Sequence, residues 1–301
     1  MTEQPRHLSP GLWGVLATPF SGPDLAVDTA SLRREVQLYM ALPATGMVVL
    51  GVFGEGASLT LAEQFRTVRT VASEASDTPL VVGLSARSTA VAIEQALPAV
   101  ESAGSNLAAL MVQANSARPE VLAAHLSAIH HATGAAIVLQ DYPVASGVKI
   151  SAEQILRVVE RCPFIAAVKS EAPPTASAIA TLTRVTGIPI YGGLGGVGLL
   201  DELAAGAAGA MTGFSHPEGL HAALAAFADG GFSAARTAFA PWLPLANFEG
   251  QPGVGLALRK EILRRRGIIA EASVRPPAPP LPGELDALID AHLDAVRMEI
   301  A

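Results

Sequence analysis

One lysine stands apart from the rest of the chain. Of twenty basic residues only three are lysines, Lys149, Lys169 and Lys260. Two of them fall in polar or helical surroundings, whereas Lys169 ends the apolar run Phe164-Ile-Ala-Ala-Val168. Burial disfavours an ammonium group and lowers its pKa, which frees the amine as a nucleophile toward carbonyl carbons. The competing reading is structural: the side chain snorkels to the strand end and pairs with Glu171, two residues on and on the same side of an extended chain.

Other groups with chemistry stand just after apolar runs. Gly51-Val-Phe-Gly-Glu55 follows the second run, and glycines there let backbone amides approach a carboxylate. Val52 and Phe53 are the candidate substrate contacts in that loop; a plain turn is the alternative. After the fifth run comes Gln140-Asp-Tyr-Pro143. Gln140 and Tyr142 alternate onto one side of the chain, so Tyr142 either relays a proton or caps the sheet. Gly193 and Met211, at the ends of the seventh and eighth runs, are further candidate substrate contacts. Gly193-Leu-Gly-Gly-Val-Gly198 satisfies G-x-G-x-x-G, but a dinucleotide site occupies the first strand–helix turn of its domain, and here the glycines follow the seventh strand. Room beside a reacting lysine, or an anion site, fits them better. His130 and His131 are adjacent on a surface helix, and His216, just past the eighth run, is the one histidine well placed for the site, a loop histidine being the competing reading. No metal constellation emerges, and no cofactor is called for.

These groups need a frame, and the chain supplies one. Eight short runs rich in Val, Ile and Leu recur: Gly14–Ala17, Met47–Leu50, Leu80–Gly83, Ala108–Val112, Ala135–Leu139, Phe164–Val168, Ile188–Tyr191 and Ala208–Met211. They are continuous rather than alternating, as in a parallel sheet covered on its outer side. Between them lie helical segments. Thr60-Leu-Ala-Glu63 and Ser151-Ala-Glu-Gln154 are capping boxes, Leu32, Val36 and Tyr39 share one helical face, and Gly104, Gly134 and Gly187 stand where helices stop. Eight strand–helix units predict an α/β fold, a (β/α)₈ TIM barrel over residues 1–222, with a C-terminal helical subdomain over 223–301. In such a barrel the active site lies at the C-terminal ends of the strands, where the groups above fall.

Composition narrows the partners. The net charge of -7 argues against nucleic acid. No apolar run reaches membrane-spanning length. Met1–Pro10 is polar and lacks the core of a signal peptide, so a cytoplasmic location is expected. A single cysteine, Cys162, leaves no internal disulfide.

Taken in order, these features resemble the dihydrodipicolinate synthase / N-acetylneuraminate lyase family of class I aldolases over almost the whole chain. Gly14 to Phe20 is similar to its opening strand, Val27-Asp28 to its first helix entry, and Gly51-Val-Phe-Gly-Glu55 with Leu59-Thr60 to its G-T/S-T-G-E loop. Ala167-Val168-Lys169 matches its Schiff-base strand. Gln251 to Leu263 and Val274-Arg-Pro-Pro277 look like its closing helix and terminal segment. The resemblance implies a pyruvate-type substrate whose ketone condenses with Lys169 and whose carboxylate rests on amides near Val52 and Phe53. It also implies a homo-oligomer, dimer or tetramer, which Ala-rich helices would allow.

The departures are specific. Val52 and Phe53 replace two loop hydroxyls that pass protons in the family, and Gln140 replaces its tyrosine. Ala145 stands where the synthase has a carboxylate-binding arginine, and Gln113-Ala-Asn115 where it has a tyrosine pair. The lyase-like Pro-x-x-Ser-Gly pattern, Pro143 to Gly147, is present instead. The expected activity is a Schiff-base lyase, aldolase or hydro-lyase, on a 2-keto acid such as a 2-keto-3-deoxy sugar acid, with Arg87 and Arg118 as contacts for its far end. Two other readings stand: a binding or regulatory relative that keeps the lysine without turnover, and a phosphate-binding barrel built on the glycines from Gly193.

Overall fold

Each of the eight apolar runs forms a strand, and the strands close on themselves. The computed structural model describes residues 7–300; Met1–Arg6 of the polar start, and Ala301, lie outside the described residues. Strand β1 spans Gly11–Val15, β2 Gly46–Val49, β3 Leu80–Leu84, β4 Leu107–Gln113, β5 Ile137–Asp141, β6 Ile165–Ser170, β7 Ile190–Gly192 and β8 Gly209–Thr212. All neighbours pair in parallel, and β1 closes the barrel by pairing with both β2 and β8. It begins at Gly11 rather than Gly14, because Gly11, Leu12 and Trp13 extend the pairing with β8.

A helix follows each strand: α1 Thr29–Met40, α2 Leu61–Glu74, α3 Thr89–Ala103, α4 Pro119–Thr133, α5 Ala152–Arg161, α6 Thr175–Val185, α7 Leu199–Ala204 and α8 Pro217–Phe239. Both capping boxes form, at Thr60 with Glu63 and at Ser151 with Gln154. Gly104 and Gly134 cap α3 and α4, but α6 is capped by Thr186, one residue before the expected Gly187. Three further helices, α9 Leu243–Glu249, α10 Gly255–Arg265 and α11 Asp286–Ile300, complete the chain. No helix among the described residues is long and apolar enough to cross a membrane.

Strand parity sorts the core into layers. Trp13, Val48, Val81, Ala109, Val138, Ala167, Tyr191 and Met211 fill the barrel interior. Their strand neighbours, among them Val49, Val82, Leu110, Leu139 and Val168, pack outward against α1 to α6. The outer faces of β1 and β8, through Leu12 and Ala210, join α7 to α11 in a separate cluster around Phe239, Leu245 and Leu258. The C-terminal helices are thus bonded to the barrel by shared apolar surface, which is what fixes them over one side of its mouth.

Lys260 does not lie where its helical surroundings suggested. It is fully buried, paired with Glu55, and donates to the Ser273 carbonyl at 2.8 Å. Its ammonium also lies 4.2 Å from the centre of the Phe20 ring. Sequence context missed this because the partner is 205 positions away. Burial lowers the Lys260 pKa, and Glu55 opposes that shift. Glu55 accepts a second hydrogen bond from the Arg275 amide, and the Arg275 guanidinium in turn binds Glu63. The closing helix is therefore tied to the loop after β2 by one ion pair, and the segment after it to α2 by a second.

Glu35 on α1 is also buried; one carboxyl oxygen accepts from the Ala17 amide at 2.8 Å and the other has no hydrogen-bond partner. Burial pushes its pKa from 4.5 up to about 8. A carboxyl raised in this way stabilises the fold fully below the unfolded value, and that contribution is lost as pH rises toward the folded value. Glu35→Gln keeps the acceptor for Ala17 and removes the titration. Its stability relative to wild type in urea unfolding should therefore rise between pH 4.5 and pH 8. A pH-independent difference would contradict the assignment.

Candidate active site

A cavity of about 650 Å³ opens at the C-terminal ends of the strands. Its walls come from the loops after β1, β2, β5, β6, β7 and β8, closed on one side by α9, α10 and the turn between them. Lys169 lies at its floor with only 5% of its surface exposed. Parity explains the position: Ala167 points into the barrel and Val168 outward, so Lys169 points inward again, one layer above Ala167. Register supplies its neighbours. Lys169 stands beside Gln140 on β5 and Tyr191 on β7.

The Lys169 Nζ lies 3.2 Å from Glu171 Oε2, and both side chains are buried. The lysine therefore pairs with Glu171 and also faces the cavity. Gln140 Nε2 donates to the same carboxylate oxygen at 2.7 Å, and the Leu194 amide donates to the other at 3.2 Å. The carboxylate fits only because position 193 is glycine: a Cβ there would overlap it. An ion pair removed from water needs such added hydrogen bonds to offset its desolvation.

Tyr142 lines the cavity at the start of a short helical turn, Pro143–Ser146. Burial raises its pKa, with Glu171 adding to the shift. Asp141, on the outward side of β5, is raised to about 6 by burial and by Glu171. Glu202 on α7 is raised to about 7, chiefly by burial. Both are held toward the neutral form.

Of the residues singled out from sequence, Lys169, Gln140, Tyr142, Val52 and Phe53 line one cavity. Gly193 is not in its wall; it makes the space that Glu171 occupies. Met211 lies below, buried in the barrel interior beside Trp13 on the adjoining strand. Arg87 is exposed and Arg118 pairs with Glu120 on the surface, and neither lines the cavity. His216 is half-buried beside Trp242 and bonds the Ser215 hydroxyl. Sequence inspection missed Arg259, which reaches the cavity from α10, some ninety positions beyond Lys169 and from outside the barrel strands. The only signal for it was the closing-helix pattern that contains it.

The pattern of the dihydrodipicolinate synthetase family matches residues 9–295. The L-2-keto-3-deoxyarabonate dehydratase of Azospirillum brasilense is 31% identical over 288 residues, covering 93% of this chain and 91% of that protein. The 4-hydroxy-tetrahydrodipicolinate synthase of Corynebacterium aurimucosum is 30% identical over 257 residues, covering 84% of this chain and 83% of that one. Among crystal structures, the dihydrodipicolinate synthase of Rhodopseudomonas palustris superposes with a TM-score of 0.88 at 27% identity, over 96% of this chain and 99% of that one.

The space at position 193 gives a direct check of the site's geometry. Gly193→Ala should drive the Glu171 carboxylate away, so that its crystal structure shows the Lys169–Glu171 contact broken. A contact kept at 3.2 Å would contradict the fit described.

Proposed function

The chain belongs to the dihydrodipicolinate synthetase family, and on that premise we propose that it is a Schiff-base lyase acting on a 2-keto acid, with Lys169 as the nucleophile. The observation that carries this reading is the placement of Lys169 at the floor of the cavity with Glu171 at 3.2 Å. A primary amine that attacks a ketone must shed protons, and the carbinolamine must lose water. Glu171 Oε2 is the acceptor within reach of Nζ, and Gln140 and the Leu194 amide hold it there. The protonated imine then draws electrons from the adjacent carbon, so a proton on C3 becomes acidic.

From that point two outcomes are chemically open, loss of a hydroxyl from C4 as water or cleavage of the C3–C4 bond. Water loss suits this site better. It needs a base for the C3 proton and an acid for the departing hydroxyl. Glu171 serves as the base, and Tyr142, a phenol in the cavity wall, serves as the acid. Support also comes from the relative that is 31% identical, a dehydratase of a 2-keto-3-deoxy sugar acid. Gln140 stands where the family carries a tyrosine, so its role here is to orient Glu171 rather than to transfer a proton. The keto acid's own carboxylate is assigned to the loop of Val52 and Phe53.

In this reading the barrel holds the chemistry, and the C-terminal helices supply one wall of the cavity. The protein works as a homo-oligomer, a dimer or tetramer, in the cytoplasm; family membership supports the first, and the single buried cysteine agrees with the second. The absence of hydroxyls at Val52 and Phe53 favours one rival, a keto-acid-binding relative without turnover.

One experiment separates these. Wild-type protein treated with pyruvate and borohydride should gain a stable adduct on Lys169, seen by peptide mass spectrometry, and Lys169→Ala should gain none. A panel of 2-keto-3-deoxy acids should then lose water only with wild type. An unmodified Lys169 in folded protein would sink the Schiff-base reading, and an adduct without turnover would favour the binding-only relative.

A further inference from the structure

Arg259 is the one cation besides Lys169 among the residues lining the cavity. Its guanidinium is bounded on two sides. Cζ lies over the Phe53 ring, 5.4 Å from the centroid, and a terminal nitrogen passes against Gly195, where a Cβ would collide with it. Nε is buried without a hydrogen-bond partner, and its nearest carboxylate, Glu249 Oε2, is an ion-pair contact at 3.4 Å. Glu249 is itself engaged by the amide and hydroxyl of Ser215. Burial pushes Glu249 up to about 7, so near neutral pH it does not fully offset the arginine. The backbone that carries Arg259 is fixed by the next residue, Lys260, through its buried pair with Glu55.

A guanidinium set over an aromatic ring with donors unspent, in the wall of a cavity that also holds Lys169, has the chemistry for bidentate recognition of a carboxylate. Resting on the Schiff-base reading above, we propose that Arg259 binds a carboxylate of the substrate and thereby selects for it. A neutral hydroxyl offers one acceptor atom to this fork, whereas a carboxylate offers two. In simple keto acids that group is the one beside the ketone, which Arg259, lying over Phe53, shares with the backbone of the Val52–Phe53 loop; in keto dicarboxylates a second stands at the far end. The chemistry recognised is the same. This assignment takes the place of Arg87 and Arg118, which lie outside the cavity.

The test reads the keto-acid concentration that half-saturates borohydride trapping of Lys169, with pyruvate and with 2-ketoglutarate. Arg259→Gln should raise it about tenfold to a hundredfold. Arg259→Lys, which keeps the charge but loses the fork, should fall between, and carries the test if the glutamine variant does not fold. Arg118→Gln, on the surface, should change nothing. A rise with both acids assigns the carboxylate beside the ketone; a rise with 2-ketoglutarate alone assigns the distal one. No rise with either overturns the proposal. If wild-type protein is not trapped at all, the Schiff-base reading fails on its own. Arg259 is then judged by calorimetric titration of the two acids into Lys169→Ala. A tenfold weaker Kd on adding Arg259→Gln supports the proposal, and an equal Kd overturns it.

Discussion

Two opposite charges meet inside a barrel that is otherwise lined with apolar side chains, and the rest of the site is arranged around that meeting. Lys169 and Glu171 are each about 5% exposed and 3.2 Å apart. Breaking a buried pair by deleting one partner typically costs about 3–5 kcal/mol, because the survivor is left as a bare charge. The surroundings meet this constraint step by step. Parity along β6 turns Lys169 inward, and register with β5 sets Gln140 beside it to bind Glu171. The missing side chain at Gly193 leaves the carboxylate its space, and the following turn offers the Leu194 amide. Two strands and two loops thus converge on five atoms.

A second buried pair serves a different end. Lys260 and Glu55 join the closing helix to the loop after β2, and Arg275 with Glu63 extends the link to α2. Both elements contribute to the cavity wall: Val52 and Phe53 on one, Arg259 on the other. Glu171 and Arg259 are held by separate contacts, the first by Gln140 and the Leu194 amide and the second beside Glu249.

How much of this was legible in the sequence follows from the range of the interactions. The barrel was readable because strand runs and capping boxes are local patterns; all eight runs became strands, and the errors were at ends, as at Gly11 and Thr186. Lys169 was readable because its apolar context lies in the five preceding residues. Glu171 was visible as a partner for the same reason, but its bonds to Gln140 and Leu194 depend on register and loop shape. Arg259 and the burial of Lys260 were not legible, since each is defined by partners far away in the chain. Sequence context even pointed the wrong way for Lys260, a helical residue among charged neighbours whose partner came from another loop.

The central claim is that Glu171 takes the proton that Lys169 must release. Its most direct measurement is the single-turnover rate of imine formation with pyruvate, followed by rapid borohydride quenching, in wild type and in Glu171→Gln. The glutamine keeps the shape and an acceptor for Gln140 while removing the base. The rate should drop about a hundredfold or more with Lys169 still the residue modified. An unchanged rate in the variant would contradict the account.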